Sequence, residues 1–185
     1  LFADDDFVPS HRYVQAVREI MAAESDIVIL SGYVLADGIN NEGISFEDAM
    51  NIVSKHDSKP AATPPAMDVM PHAYGCNMAI RVAAHPELRF DERLPLYGWL
   101  EDLDYSRRIA GRGRLIRSSA IAGVHMGTKR GRPSGLKLGY SQVANPLYFV
   151  GKGTMPLSEA VSQIGRNVAA NLVRCVHPEP WVDRI

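Results

Sequence analysis

Three groups of residues in this chain have the types and spacing to do chemistry. Asp4, Asp5 and Asp6 follow the apolar start Leu1-Phe2-Ala3. If the chain continues as a strand, alternation turns Asp4 and Asp6 to one face and Asp5 elsewhere. Two carboxylates on one face can share a cation, and hard oxygen ligands in a site that also receives phosphate suit Mg2+ or Mn2+. A short acidic run ahead of a helix also has a plainer use, because Asp is favoured by the helix dipole. Glu101 and Asp102 follow Tyr97-Gly98-Trp99-Leu100 and fall in the first turn of an expected helix. The dipole explains that pair too, but partial desolvation beside Trp99 could raise a carboxyl pKa toward that of a working base. The third group is His125 with the segment after it, which carries Lys129, Arg130, Arg132 and Lys137 among Gly131, Pro133 and Gly135. A lone histidine is commonly structural and a basic loop commonly a solvated face. Beside a metal site, the same loop could cover a diphosphate and stabilise its charge.

Positioning these groups falls to an alternation of strands and helices. Pro9 and Ser10 read as the start of a helix, with Tyr13, Val14, Val17, Ile20 and Met21 at helical spacing. The β-branched run Ile27-Val28-Ile29-Leu30, continuing through Tyr33-Val34-Leu35 to Asp37-Gly38, reads as a buried strand broken at Gly32. Strand, helix, strand is the signature of an α/β fold with helices layered on a sheet. Residues 38 to 72 show little periodicity, and the four prolines between Lys59 and Pro71 predict an irregular excursion. Met78-Ala79-Ile80 reads as a short strand and Val82 to His85 as a helical turn. A helix is predicted over Glu101 to Ala110, ended by Gly111 and Gly113. A strand then runs from Leu115 toward His125, and two helical patterns follow at Tyr140 to Val150 and Ser158 to Val176. The apolar stripe of the last two predicts core or dimer packing.

Composition narrows the classes. Lys and Arg number 20 against 21 Asp and Glu, a net charge of -1 that argues against a general nucleic-acid binder. A 46% hydrophobic fraction supplies a core and argues against disorder. The longest weakly polar run, Ile27 to Ala36, falls far short of the roughly 20 residues that span a bilayer. Cys76 and Cys175 lack CxxC spacing and read as reduced, buried thiols. The apolar, abrupt beginning reads as the interior of a buried strand, which suggests that a segment precedes Leu1.

The ordered set LFADDDFVPS, YGCNMAIR, LRFDERL, GWLEDLDYSRRIAGRG and VHMG resembles the inverting family-2 glycosyltransferases of the GT-A fold, over Leu1 to about Gly151. The resemblance implies a GT-A-like mixed sheet flanked by helices, incomplete at the N-terminus, with C-terminal helices. Residues 1–150 would be the catalytic and acceptor-side part and 151–185 a helical extension; the N-terminal half that holds the nucleotide in such enzymes has no counterpart in these residues. It implies a DxD-type triplet with Asp4 toward the nucleotide-sugar, Asp6 on the metal and Asp5 between the two roles. Gly75 and Asn77 would border the donor sugar. Asp102 would be the catalytic base, with Glu101 assisting or binding the acceptor beside Trp99. His125 would complete the metal shell around Mn2+ or Mg2+, while Lys129, Arg130 and Arg132 would bind the donor diphosphate. Arg107 and Arg108 stand where similar sequences carry arginine.

The activity expected from the resemblance is inverting transfer of a sugar from a nucleoside-diphosphate donor to a glycan or lipid-linked acceptor hydroxyl, in polysaccharide or glycolipid synthesis. Its expected place is the cytoplasm or the inner face of the cytoplasmic membrane, with peripheral membrane contact or self-association through the C-terminal helices. A metal-dependent phosphohydrolase or nucleotidyltransferase would need a second acidic cluster, which the sequence does not show. The reading of another class is a non-catalytic carbohydrate-binding or assembly module derived from such a domain.

Overall fold

The computed structural model describes residues 1–60, 64–131, 133–176 and 178–181. The chain forms two compact units, one of Leu1–Leu88 with Ile109–Thr128, the other of Arg89–Arg108 with Lys129–Ile185.

The first unit is built on a six-stranded mixed sheet: β1 (Phe2–Ala3), β2 (Phe7–Pro9), β3 (Ile27–Asp37), β4 (Met67–Val69), β5 (Asn77–Ile80) and β6 (Arg114–His125). The order is β1-β5-β3-β6-β2, with β4 also paired to β6. Among the described residues, only β3 and β6 run parallel; the other pairs are antiparallel. Their parallel pairing explains the apolar run at Ile27–Leu30, because a strand covered on both faces has no polar side to alternate with. Gly32 marks a register shift rather than a break: β3 continues to Asp37, and a Cβ at Gly32 would press on the Ile121 carbonyl.

Helices α1 (Tyr13–Ala23) and α2 (Phe46–Asp57) cover opposite faces. Phe7 and Val8 are adjacent on β2 and so point to opposite sides. Phe7 packs with Tyr13 and Ala16 of α1 over Ile27, Leu30, Ile116 and Ile121. Val8 packs with Ala49 and Val53 of α2 and with Val124.

Several expectations are corrected here. Residues 38 to 72 are not wholly irregular, since they contain α2 and β4. Ser45 caps α2, accepting from the Asp48 amide at 3.1 Å. Glu47 and Asp48 lie in its first turn and Lys55 and His56 in its last, an order that suits the dipole. The helix was hard to read because Phe46 and Met50 face solvent while only Ala49 and Val53 are buried. Pro9 ends β2 rather than starting a helix; α1 begins at Tyr13, without a side-chain cap. At the start of the chain Phe2–Ala3 pair antiparallel with β5, and Leu1 and Phe2 are exposed.

The second unit holds α3 (Glu101–Ile109) as far as Arg108, together with α4 (Gly135–Lys152) and α5 (Leu157–Val176). Leu103, Phe149, Met155 and Ala160 form its apolar centre. The α4 helix starts earlier than its periodicity predicts, so Lys137 lies on the helix rather than in the basic loop, and it tolerates Pro146 inside it. Gly153 ends it in the left-handed conformation at φ 81°, its amide bonded back to the last turn. The stripe on α5 is not core within this chain. Leu157, Val161, Val168 and Leu172 are exposed, and Ala160 is the buried residue of the helix. Cys76 is buried as expected, whereas Cys175 is exposed. Among the described residues, no helix is long and apolar enough to cross a membrane.

Candidate metal centre

The chain brings Asp4, Asp6 and His125 together in the first unit, with one ligand atom from each lying within 4.8 Å of the others. The route differs from strand alternation. Asp4-Asp5-Asp6 is a turn between β1 and β2, closed by the Phe7 amide donating to the Asp4 carbonyl at 3.1 Å. That turn passes the C-terminal ends of β3 and β6, where Asp37 and His125 are register partners. The Met126 amide donates to the Asp6 carbonyl at 2.9 Å and the Thr128 amide to Asp6 Oδ2 at 2.7 Å. Asp6 Oδ1 is thereby left toward His125, with Nε2 3.4 Å away; Asp4 Oδ2 is 3.6 Å from the same nitrogen. Asp5 is exposed and outside the cluster.

Glycines set the backbone under this site. Gly127 sits at φ 65°, and a Cβ there would collide with the Gly38 carbonyl group. A Cβ at Gly38 would collide in turn with the Met126 carbonyl. The two loops after β3 and β6 can therefore lie backbone to backbone, with Gly38 N–H donating to the His125 carbonyl at 2.9 Å.

His125 is buried and faces acceptors on both ring nitrogens. Its Nδ1 is 2.9 Å from Asp37 Oδ1, an oxygen that also accepts from the Ile39 amide. Tyr74 stands edge-on to the imidazole, its hydroxyl 3.1 Å from Asp37 Oδ2 and 3.2 Å from His125 Nδ1. Burial, and next the Asp37 charge, push the Tyr74 pKa well up, so its hydroxyl stays a donor at neutral pH.

With Nδ1 toward Asp37, Nε2 faces two carboxylates, and such a set calls for positive charge between its members: a proton on Nε2 or a metal ion. Cis and trans ligands around a cation with bonds of about 2.1 Å are about 3 and 4.2 Å apart. The 3.4 and 3.6 Å separations fall between those values. Two carboxylates and an imidazole are a donor set that fits a divalent cation. No known protein family, curated protein or solved structure matches this chain.

Other expected site residues are placed as follows. Gly75 lies in the turn before β5. Asn77 is buried with its side-chain oxygen accepting from the Gly32 amide at 2.7 Å, so it works as a brace between β5 and β3. Glu101 and Asp102 open α3 in the second unit, half-buried, and Asp102 Oδ1 accepts from the Leu103 amide at 2.7 Å. Lys129 is half-buried and Arg130 exposed; Arg132 lies outside the described residues. Arg107 donates from Nη2 to both carboxylate oxygens of Glu159 at 2.8 Å and from Nη1 to the Thr154 carbonyl, while Arg108 pairs with Asp104 at 2.9 Å. Both arginines are structural.

Three residues that the structure makes important carry no functional assignment from the sequence. Asp37 and Tyr74 surround His125. Asn145 on α4 is fully buried and donates to the carbonyls of Tyr97 at 3.0 Å and Trp99 at 2.9 Å. Those bonds hold a segment in which Leu96 and Leu100 take φ of 62° and 69°, unusual for leucine and directly ahead of Glu101.

Proposed function

We propose that this chain is the metal- and acceptor-side part of an inverting, nucleotide-sugar-dependent glycosyltransferase. The convergence of Asp4, Asp6 and His125 carries the proposal. The family resemblance assigns Asp6 and His125 to the metal and Asp4 to the nucleotide-sugar side, and the three come from two ends of one sheet-forming unit.

In this reading Asp6 and His125 hold Mn2+ or Mg2+, with Asp4 beside them on the nucleotide-sugar side. The metal ion would supply charge neutralisation at the departing diphosphate. Lys129, Arg130 and Arg132 add positive charge for the same diphosphate. Asp102 takes the proton of the acceptor hydroxyl as that oxygen bonds to the anomeric carbon. The bond from that carbon to the diphosphate oxygen breaks, its electron pair leaves with the diphosphate, and configuration inverts. Glu101 and Trp99 contact the acceptor, a glycan or lipid-linked sugar.

A screen of nucleotide sugars tests the proposal, carried out on the chain together with any sequence that precedes Leu1 and read by thermal shift with and without Mn2+. A matching donor should raise the melting temperature in a Mn2+-dependent way, and nucleoside diphosphate should then be released when acceptor is added. Asp102→Asn should abolish transfer while leaving donor binding nearly unchanged; normal turnover in that variant would remove Asp102 as base. Glycan binding without any nucleoside diphosphate release would favour the non-catalytic module instead.

A further inference from the structure

We infer that Asp37 is a positioning residue that fixes the tautomer of His125, placing its proton on Nδ1 and its lone pair on Nε2, toward Asp4 and Asp6, and that Tyr74 anchors the Asp37 carboxylate. The inference rests on the metal reading of that cluster.

Asp37 Oδ1 can only accept, so at 2.9 Å the proton between it and Nδ1 belongs to the imidazole. Tyr74 cannot donate to a nitrogen that already carries a proton. Its hydroxyl therefore donates to Asp37 Oδ2 at 3.1 Å, anchoring the carboxylate from its other side. The Ile39 amide adds a third hold at 2.9 Å. The Tyr74 ring standing edge-on limits rotation of the imidazole. The result is a carboxylate–histidine pair aimed at a cation site, an arrangement that orients a ligating histidine and raises its basicity. Asp37 is the last residue of β3 and His125 the last of β6, so the parallel register of the two strands builds the pair into the sheet.

The tautomer can be read without any metal, from the ring nitrogen shifts of His125 in a long-range proton–nitrogen spectrum. The wild-type chain should show the proton on Nδ1. In Asp37→Ala the Tyr74 hydroxyl, 3.2 Å from Nδ1, has lost its acceptor and should donate to that nitrogen, moving the proton to Nε2. Tyr74→Phe should keep the wild-type tautomer. In Mn2+ titrations followed by electron paramagnetic resonance, Asp37→Asn should bind about tenfold more weakly, in line with the usual effect of losing such a partner. Asn keeps the shape and the acceptor oxygen for the Ile39 amide, so this variant serves if Asp37→Ala does not fold. A wild-type imidazole that carries its proton on Nε2 and none on Nδ1, or unchanged Mn2+ affinity in folded Asp37→Asn, overturns the inference. Wild-type protein that binds no Mn2+ would defeat the metal reading, and the tautomer measurement would still decide this one.

Discussion

His125 Nε2 lies 3.4 and 3.6 Å from two carboxylates, and in the proposed metal site the character of its lone pair would govern which cation suits. Carboxylate oxygens serve Mg2+ and Mn2+ alike, but an imidazole nitrogen adds more to a transition metal than to hard, strongly hydrated Mg2+. His125→Gln should therefore lower Mn2+ affinity by tenfold or more and Mg2+ affinity by much less, narrowing the preference between the two metals. Competition titrations on wild type and variant measure this directly, and an equal loss for both ions would mean that the nitrogen is not a ligand. His125 was legible from sequence because it ends a readable strand and precedes a glycine. Asp37 is visible only as a turn residue and Tyr74 only as the first residue of YGCNMAIR, since their meaning depends on the pairing of β3 with β6 that brings Asp37 beside His125, and no local pattern encodes that register.

At the level of elements, the two loops that follow β3 and β6 need glycine for different reasons than the helix end at Gly153. Gly127 combines φ 65° with a neighbour in the way of any Cβ, whereas Gly153 at φ 81° has nothing within 4 Å. Alanine at Gly153 should cost only the left-handed penalty of about 1–2 kcal/mol. Alanine at Gly127 should cost about 1–3 kcal/mol from backbone strain, and in addition it should displace Gly38 and with it the Asp37 carboxylate. Urea unfolding should thus find both variants destabilised, Gly127→Ala the more so, and Mn2+ binding should weaken in Gly127→Ala alone. Mn2+ affinity falling equally in both would show that the loop does not position the site. The elements themselves were unevenly legible. β3 and β6 were read nearly to their ends because a buried, β-branched run is its own signal. α2 is not legible although Ser45 and Asp48 spell its cap, because its apolar residues are split between a narrow buried edge and solvent. β4 is three residues long and exists through pairing with β6, which leaves nothing local to read.

The two units of the molecule hold together by different means, and acid should separate their behaviour. In the first, Ile27, Val28, Ile29, Leu30, Ile116, Ile121 and Val124 are all at most 1% exposed, an apolar core indifferent to pH. The second has a smaller apolar centre and a charged one beside it. Lys152 Nζ lies 2.7 Å from both Asp91 and Asp104, Tyr148 donates to Asp91 at 2.8 Å, and Thr154 donates to Asp104 at 2.8 Å. The Arg93 guanidinium, then Lys152 and Tyr148, hold the Asp91 carboxyl far below the usual carboxylate range, against the opposing effect of burial. A depressed folded pKa means that the stabilisation is complete above the unfolded value near 4 and is lost as pH falls below it toward the folded one. The second unit should consequently weaken from about pH 4 downward. Both tryptophans, Trp99 and Trp181, belong to that unit, so their fluorescence reports on it selectively. Asp91→Asn should be less stable at pH 7, because Lys152 and Arg93 each lose a charged partner, and its stability should depend less on pH in the acid range. An acid transition in Asp91→Asn with the same midpoint and steepness as wild type would show that this carboxylate does not couple the second unit to pH.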